Sequence, residues 1–164
     1  MGFFDKIKTF VGEHGCKVEI TSLEHQDPGS MKFPVNDSVL KGNFKVTATK
    51  PCVVLAHKVE VCVMKKHPDG REEVVTLAED SHDEKNQVIG MDYQWPYDMK
   101  AGDVKEDGFC ATSLDIPGAL RKLGFDNASS AVTAPNLSWY VKVMADVKGT
   151  PLDADAKADF TVVV

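Results

Sequence analysis

Residues 57–75 read HKVEVCVMKKHPDGREEVV. Two histidines, a cysteine and several charges crowd this line, as they would in a catalytic or metal-binding cluster. Counting by twos separates them, because successive side chains of an extended chain point to opposite sides. His57, Val59, Val61, Val63 and Lys65 fall on one face, and Lys58, Glu60, Cys62, Met64 and Lys66 on the other. Cys62 therefore does not point the same way as His57. Pro68-Asp69-Gly70 then supplies a turn, with Gly70 suited to a positive φ, and Val74, Val75 and Leu77 can pair back. The stretch reads as a β-hairpin rather than a site of chemistry.

The same period runs outward from it. Residues 39–48 place Leu40, Gly42, Phe44, Val46 and Ala48 on one side and Lys41, Asn43, Lys45 and Thr47 on the other. Residues 138–147 place Trp139, Val141, Val143, Ala145 and Val147 inward, and Ala158, Phe160, Val162 and Val164 repeat the pattern at the C-terminal end. Shorter candidates are 17–23, 86–97 and 109–116, giving about eight strands separated by Pro, Gly, Asn and Asp. Short alternating strands of this kind argue for an all-β fold, an antiparallel β-sandwich. Two helices are expected. One is a short amphipathic helix over 2–11, with Phe3, Phe4, Ile7, Phe10 and Val11 at helical spacing, docked on the protein's own body. The other is a small one over 118–123, between Pro117 and Gly124.

Length and charge set the bounds. A chain of 164 residues fits a single domain over 1–164, with no internal repeat or composition shift to divide it. The net charge of -6 and the lack of a basic block interleaved with aromatics argue against nucleic acid as a partner. Cys16, Cys52, Cys62 and Cys110 lie far apart with no C-x-x-C pair, and are read as reduced thiols. The N-terminus carries charges where a secretory leader needs an apolar run, and no stretch reaches the length of a membrane span, so a cytoplasmic location is expected. Lys6 stands where a myristoylation motif wants Ser or Thr, and the sequons at Asn36, Asn127 and Asn136 are read as chance matches.

Candidate sites are few. Cys62 has no local base, and a structural thiol is the better reading. His14-Gly-Cys16 offers half of a metal-ligand set without the second close-spaced pair that a closed zinc site needs. Glu79-Asp-Ser-His82-Asp-Glu84 could attract a hard cation, but it lacks the order of oxygen ligands that wraps calcium and reads as a solvated loop. The usual nucleophile elbow, zincin helix and phosphate loops are missing. No catalytic, cofactor or metal residue is assigned, and no cofactor is expected. The feature that invites a functional reading is the odd-numbered ladder Ile89, Met91, Tyr93, Trp95 and Tyr97. Packing across the sandwich explains it best, while a recognition surface for a protein partner is the alternative, since Tyr and Trp anchor interfaces.

The order of segments resembles an arrestin-like domain, and within that class the N-terminal half of the Spo0M-like sporulation-control proteins. The resemblance rests on GFFDKIKTFVG leading into KVEITSLE, on FPVNDSVLKGNFKVTA with Gly42 inside the strand, and on AHKVEVCVMKK. AGDVKEDGFCATSLDIP and LSWYVKVMADV continue it. The resemblance implies an immunoglobulin-like (arrestin-like) β-sandwich and a non-enzymatic adaptor or regulator that holds other proteins. The chain differs in extending over one lobe where such proteins commonly have two, and in the residues inserted between Pro117 and Leu137. The expected function is a protein-interaction module using an edge strand or the ladder. A small-molecule or metal-binding sandwich drawing on His14, Cys16 or the 79–84 loop is the alternative, as is a homo-oligomer that self-associates through edge strands.

Overall fold

A computed structural model describes residues 15–24, 32–34, 38–81, 96–126, 134–150 and 154–163. The expected helix over 2–11 and residues 86–95 of one expected strand lie outside these. Alternating sequence becomes nine strands among the described residues: β1 Cys16–Glu24, β2 Lys32–Pro34, β3 Ser38–Ala48, β4 Cys52–Lys66, β5 Glu72–Ser81, β6 Tyr97–Met99, β7 Val104–Leu114, β8 Leu137–Val147 and β9 Ala154–Val163. A single helix among these residues, α1, spans Ile116–Lys122.

The strands form two sheets that face each other. The smaller has the order β1-β3-β7, and the larger β2-β9-β8-β4-β5 with β6 also on β4. All pairings are antiparallel except β2 with β9. Among the described residues the chain forms the expected all-β antiparallel sandwich with the expected small helix after Asp115.

Burial follows the alternation. Leu40, Gly42, Phe44, Val46 and Ala48 are all buried in β3, and Trp139, Val141, Val143, Ala145 and Val147 in β8. Val59, Val61 and Val63 of β4 join them, so valines of the large sheet meet Phe44 and Phe109 of the small one in one continuous core. Each such side chain gains about 1.5–3 kcal/mol from leaving water. Gly42 is small for a reason: it pairs directly with Phe109, and a Cβ at 42 would run into Phe109 Cζ and lie 2.7 Å from the Ser22 carbonyl oxygen. The ring fills the space that a side chain at 42 would need.

β4 begins five residues before His57. Val54 pairs with Val147 and Ala56 with Asp146, so Leu55 is an extra residue, a β-bulge. The bulge shifts the phase: Val54 faces the core before it and His57 after it, while Leu55 is pushed out to 37% exposure. That shift hides the first part of the strand from a count by twos. At the other end His67-Pro-Asp-Gly70 closes the hairpin as expected, with Gly70 at φ 89° and the Asp69 carboxylate accepting from the Arg71 N–H at 2.9 Å.

The helix starts two residues earlier than its sequence pattern suggests. Asp115 caps it by accepting from the Gly118 N–H at 3.0 Å, and Pro117 stands in the first turn, where a missing N–H costs nothing. At its far end Lys65 Nζ donates to the Leu123 carbonyl at 2.8 Å and lies 4.7 Å from the centre of the Phe125 ring. A side chain of β4 thus ties the helix to the large sheet.

Candidate interaction surface

The β4–β5 hairpin places an outer strand on the large sheet. β8 runs along one side of β4; β5 and β6 share the other, with β5 on Lys58–Lys66 and β6 on Cys52–Val54. Among the described residues β5 is outermost in its sheet. An outermost strand offers backbone N–H and C=O groups to a further strand. Val74, at 49% exposure, lies on it opposite Met64.

The outer face beside this edge reads in rows set by register. Val74, Met64 and Ser138 make one, and Thr76, Cys62, Tyr140 and Asp159 the next. Glu60, Lys142 and Lys157 make a third. Between neighbouring rows Lys58 reaches Glu60 at 3.4 Å, Lys142 reaches Asp155 at 3.5 Å, and Lys157 Nζ sits 4.8 Å from the centre of the Tyr140 ring. An open groove of about 540 Å³, lined by Met64, His67, Pro68, Pro135, Asn136 and Ser138, extends the first row past the turn.

Cys62 lies on this outer face yet is only 1% exposed. Burial pushes its thiol above the ordinary value, against the pull of the Thr76 hydroxyl 4.0 Å away. Burial, with Cys62 beside it, also raises the phenol of Tyr140 to about 12. Both groups stay protonated at neutral pH, and a thiol held neutral is a poor nucleophile. Cys16, Cys52 and Cys110 are free thiols too, and burial raises Cys16 to about 12. The structural reading of these cysteines agrees with their surroundings.

His57 belongs to the core. It is 3% exposed, its Nε2 and the Tyr97 hydroxyl are hydrogen-bonded at 2.7 Å, and its ring meets Phe44 and Tyr97 edge-on at 5.1 and 5.7 Å. Tyr97 is half-buried and packs against the core from β6. Ile89, Met91, Tyr93 and Trp95 lie outside the described residues, as do His14, His82, Asp83 and Glu84. Cys16 begins β1, buried opposite Ala48. Among the described residues no three His, Cys, Asp or Glu side chains gather as metal ligands.

The edge itself was not singled out in the sequence. Its signal is the run Glu72-Glu-Val-Val-Thr-Leu-Ala-Glu-Asp-Ser81, with acids at both ends, no base and apolar residues between. Nothing in that run says whether another strand covers it; the register does.

No family model matches the sequence, and no curated protein matches it either. In fold the chain is similar to Spo0M, the sporulation control protein from Bacillus subtilis. The TM-score is 0.59 at 10% sequence identity, over 92% of this chain and 50% of that one. The chain thus spans half the length of that protein. At this identity the likeness is one of fold, and it agrees with the expected arrestin-like sandwich.

Proposed function

We propose that this chain is a non-enzymatic protein-interaction module of arrestin-like type, which receives an extended segment of a partner along the outer edge of β5. The observation that carries the reading is Val74, a valine 49% exposed at the third position of a ten-residue strand that is outermost among the described residues. A strand of that length offers enough backbone groups for β-augmentation, in which main-chain hydrogen bonds supply affinity and alternate side chains supply specificity. The shared fold with a sporulation control protein supports a regulatory role, and the free, neutral thiols support a reducing, cytoplasmic setting. No helix among the described residues is long and apolar enough to cross a membrane.

The test is a photo-crosslinking side chain placed at Val74 and, as a control, at Lys17 on the small sheet, with the protein expressed in its native host. Discrete adducts from position 74 and none from position 17 are expected. Equal labelling from both positions, or none from 74, would overturn the reading. The ladder Ile89, Met91, Tyr93, Trp95 and Tyr97 is the second candidate contact, and a crosslinker at Trp95 tests it in the same experiment.

A further inference from the structure

Independently of the edge reading, we infer that Cys16 and Cys52 join in a disulfide when the protein meets a small oxidising disulfide such as oxidised glutathione. The bond would staple the small sheet to the large one at the end where β3 passes into β4.

The placement starts from the turn. Thr49, Lys50 and Pro51 alone separate β3 from β4, so the chain crosses from one sheet to the other in three residues. Thr49 and Lys50 both donate their N–H groups to the Gly15 carbonyl, at 2.8 and 3.4 Å, which holds the start of β1 against this crossing. Cys16 stands opposite Ala48 in register and is buried in the core. Cys52 shares the inward phase of Val54, two residues on in β4, and packs against the same core. The two thiols come from opposed sheets and face one interior. The other two cysteines point away from it: Cys62 lies on the outer face of the large sheet, and Cys110 stands opposite the exposed Lys41 on the outer face of the small one.

Gly15 shows how near the pair is. A Cβ built at 15 would lie 3.2 Å from Cys52 Cβ. With a carbon–carbon bond of about 1.5 Å, the Gly15 Cα is within about 5 Å of that atom, and the Cys16 Cα follows one step of about 3.8 Å later. A charge on Cys52 is also felt at Cys16, where it adds to the larger effect of burial on that thiol. Both cysteines are the first residues of their strands. Closing to the roughly 3.5–4.5 Å between Cβ atoms of a disulfide therefore moves two strand ends and no interior pair.

Exposure divides the roles. Cys52 is half-buried and can meet an oxidant, whereas Cys16 is only 1% exposed. Burial raises the Cys52 thiol, and Lys50 beside it works the other way. The Cys52 thiolate attacks one sulfur of oxidised glutathione, breaks its S–S bond and releases the first glutathione. Cys16, its proton lost to water, then attacks the Cys52 sulfur of the mixed disulfide and expels the second. Two protein thiols are oxidised, one glutathione disulfide is reduced to two thiols, and the two protons pass to the products.

The experiment treats the reduced full chain with oxidised glutathione in native buffer at about pH 8, where thiolate begins to form. Free thiols are then capped with N-ethylmaleimide in urea and the unreduced digest is read by mass spectrometry. A single link between Cys16 and Cys52 is expected, with Cys62 and Cys110 capped. The urea midpoint of the oxidised protein should rise and fall back with dithiothreitol, since the link constrains the unfolded chain. Cys16→Ala should stop at a stable glutathione adduct on Cys52, and Cys52→Ser should leave Cys16 unmodified. Ring closure should quicken about tenfold per pH unit from pH 7 to 9, because Cys16 attacks as its thiolate.

A glutathione adduct on Cys52 that persists in the native wild-type protein would overturn the inference. So would a link between any other pair, or a Cys16–Cys52 link that forms only in urea. A native link with a lowered urea midpoint would overturn the staple. None of these outcomes touches the reading of β5.

Discussion

The outer faces of the two sheets come from the same kind of alternating sequence and end in different environments. On the small sheet, Lys41 and Asn43 of β3 stand in solvent, Glu19 bridges Lys17 and Lys45 at 2.8 and 3.3 Å, and Asn43 donates to the Ser22 hydroxyl. On the large sheet, Cys62 is buried and Tyr140, Lys142 and Met144 are half-buried, though all of them alternate outward. β3 lies between β1 and β7 in a three-stranded sheet, whereas in the six-stranded one β8 is central and β4 lies between β8 and β5. Long side chains from adjacent strands close over an interior position, so pointing outward is not the same as meeting water. The small sheet is solvated at Lys41 and Asn43 but covers Cys110 beside them, and the large one carries a partly dehydrated surface that runs to β5, the outermost strand among the described residues.

The largest effect tests whether the inner faces are equals. Phe109→Ala in the small sheet and Trp139→Ala in the large one should each cost about 3–5 kcal/mol, seen as a lower urea midpoint with the transition still single. Two separate transitions would break the picture of one shared core.

The next tests the outer faces directly. Cys62→Lys buries an unpaired charge and should destabilise by about 2–4 kcal/mol, while Lys41→Ala on the small sheet should change stability by no more than about 0.5 kcal/mol. Equal costs would erase the contrast between the two faces.

Alkaline titration sharpens it through the thiols. Burial raises Cys16 from an ordinary value near 9 to about 12, and Cys62 moves the same way. Between those values the unfolded chain releases protons that the folded one keeps, so this stability is complete below pH 9 and is lost as pH rises towards 12. Urea midpoints should fall over that range, and Cys16→Ala should flatten the fall. In native protein at about pH 8, iodoacetamide should reach the half-buried Cys52 well before Cys16 or Cys62.

The smallest effect belongs to the exposed charges of the small sheet. Glu19 is held below the usual carboxylate range by Lys17 and Lys45, but it stands in water. Glu19→Gln should leave the melting temperature within measurement error, with or without added salt.

Much of this was legible from the residues. β3 and β8 alternate without interruption, and their buried sets are the ones a count by twos gives. The start of β4 was not legible, because the bulge at Leu55 inverts the phase and an inverted phase looks like no strand at all. β2 and β6, three residues each, are too short to carry a period, and they exist because β9 and β4 already offer a place to pair. β7 begins at Val104 rather than near Phe109, since Lys105, Glu106, Asp107 and Gly108 hide a strand that its pairing with β3 enforces. For the candidate surface, the acids and valines of β5 were visible in the sequence, but their place at the edge depends on which strands pair. That is a property of the whole chain.

The approach of Phe109 to Gly42 also constrains how such a chain can diverge. Neither position is free to drift alone, because a side chain at 42 collides with the ring, and a small residue at 109 opens a hole that glycine cannot fill. Across diverging copies the two would have to exchange bulk together, ring against hydrogen or two residues of middling size. A pair that moves in step could remain traceable where overall identity has fallen to a tenth.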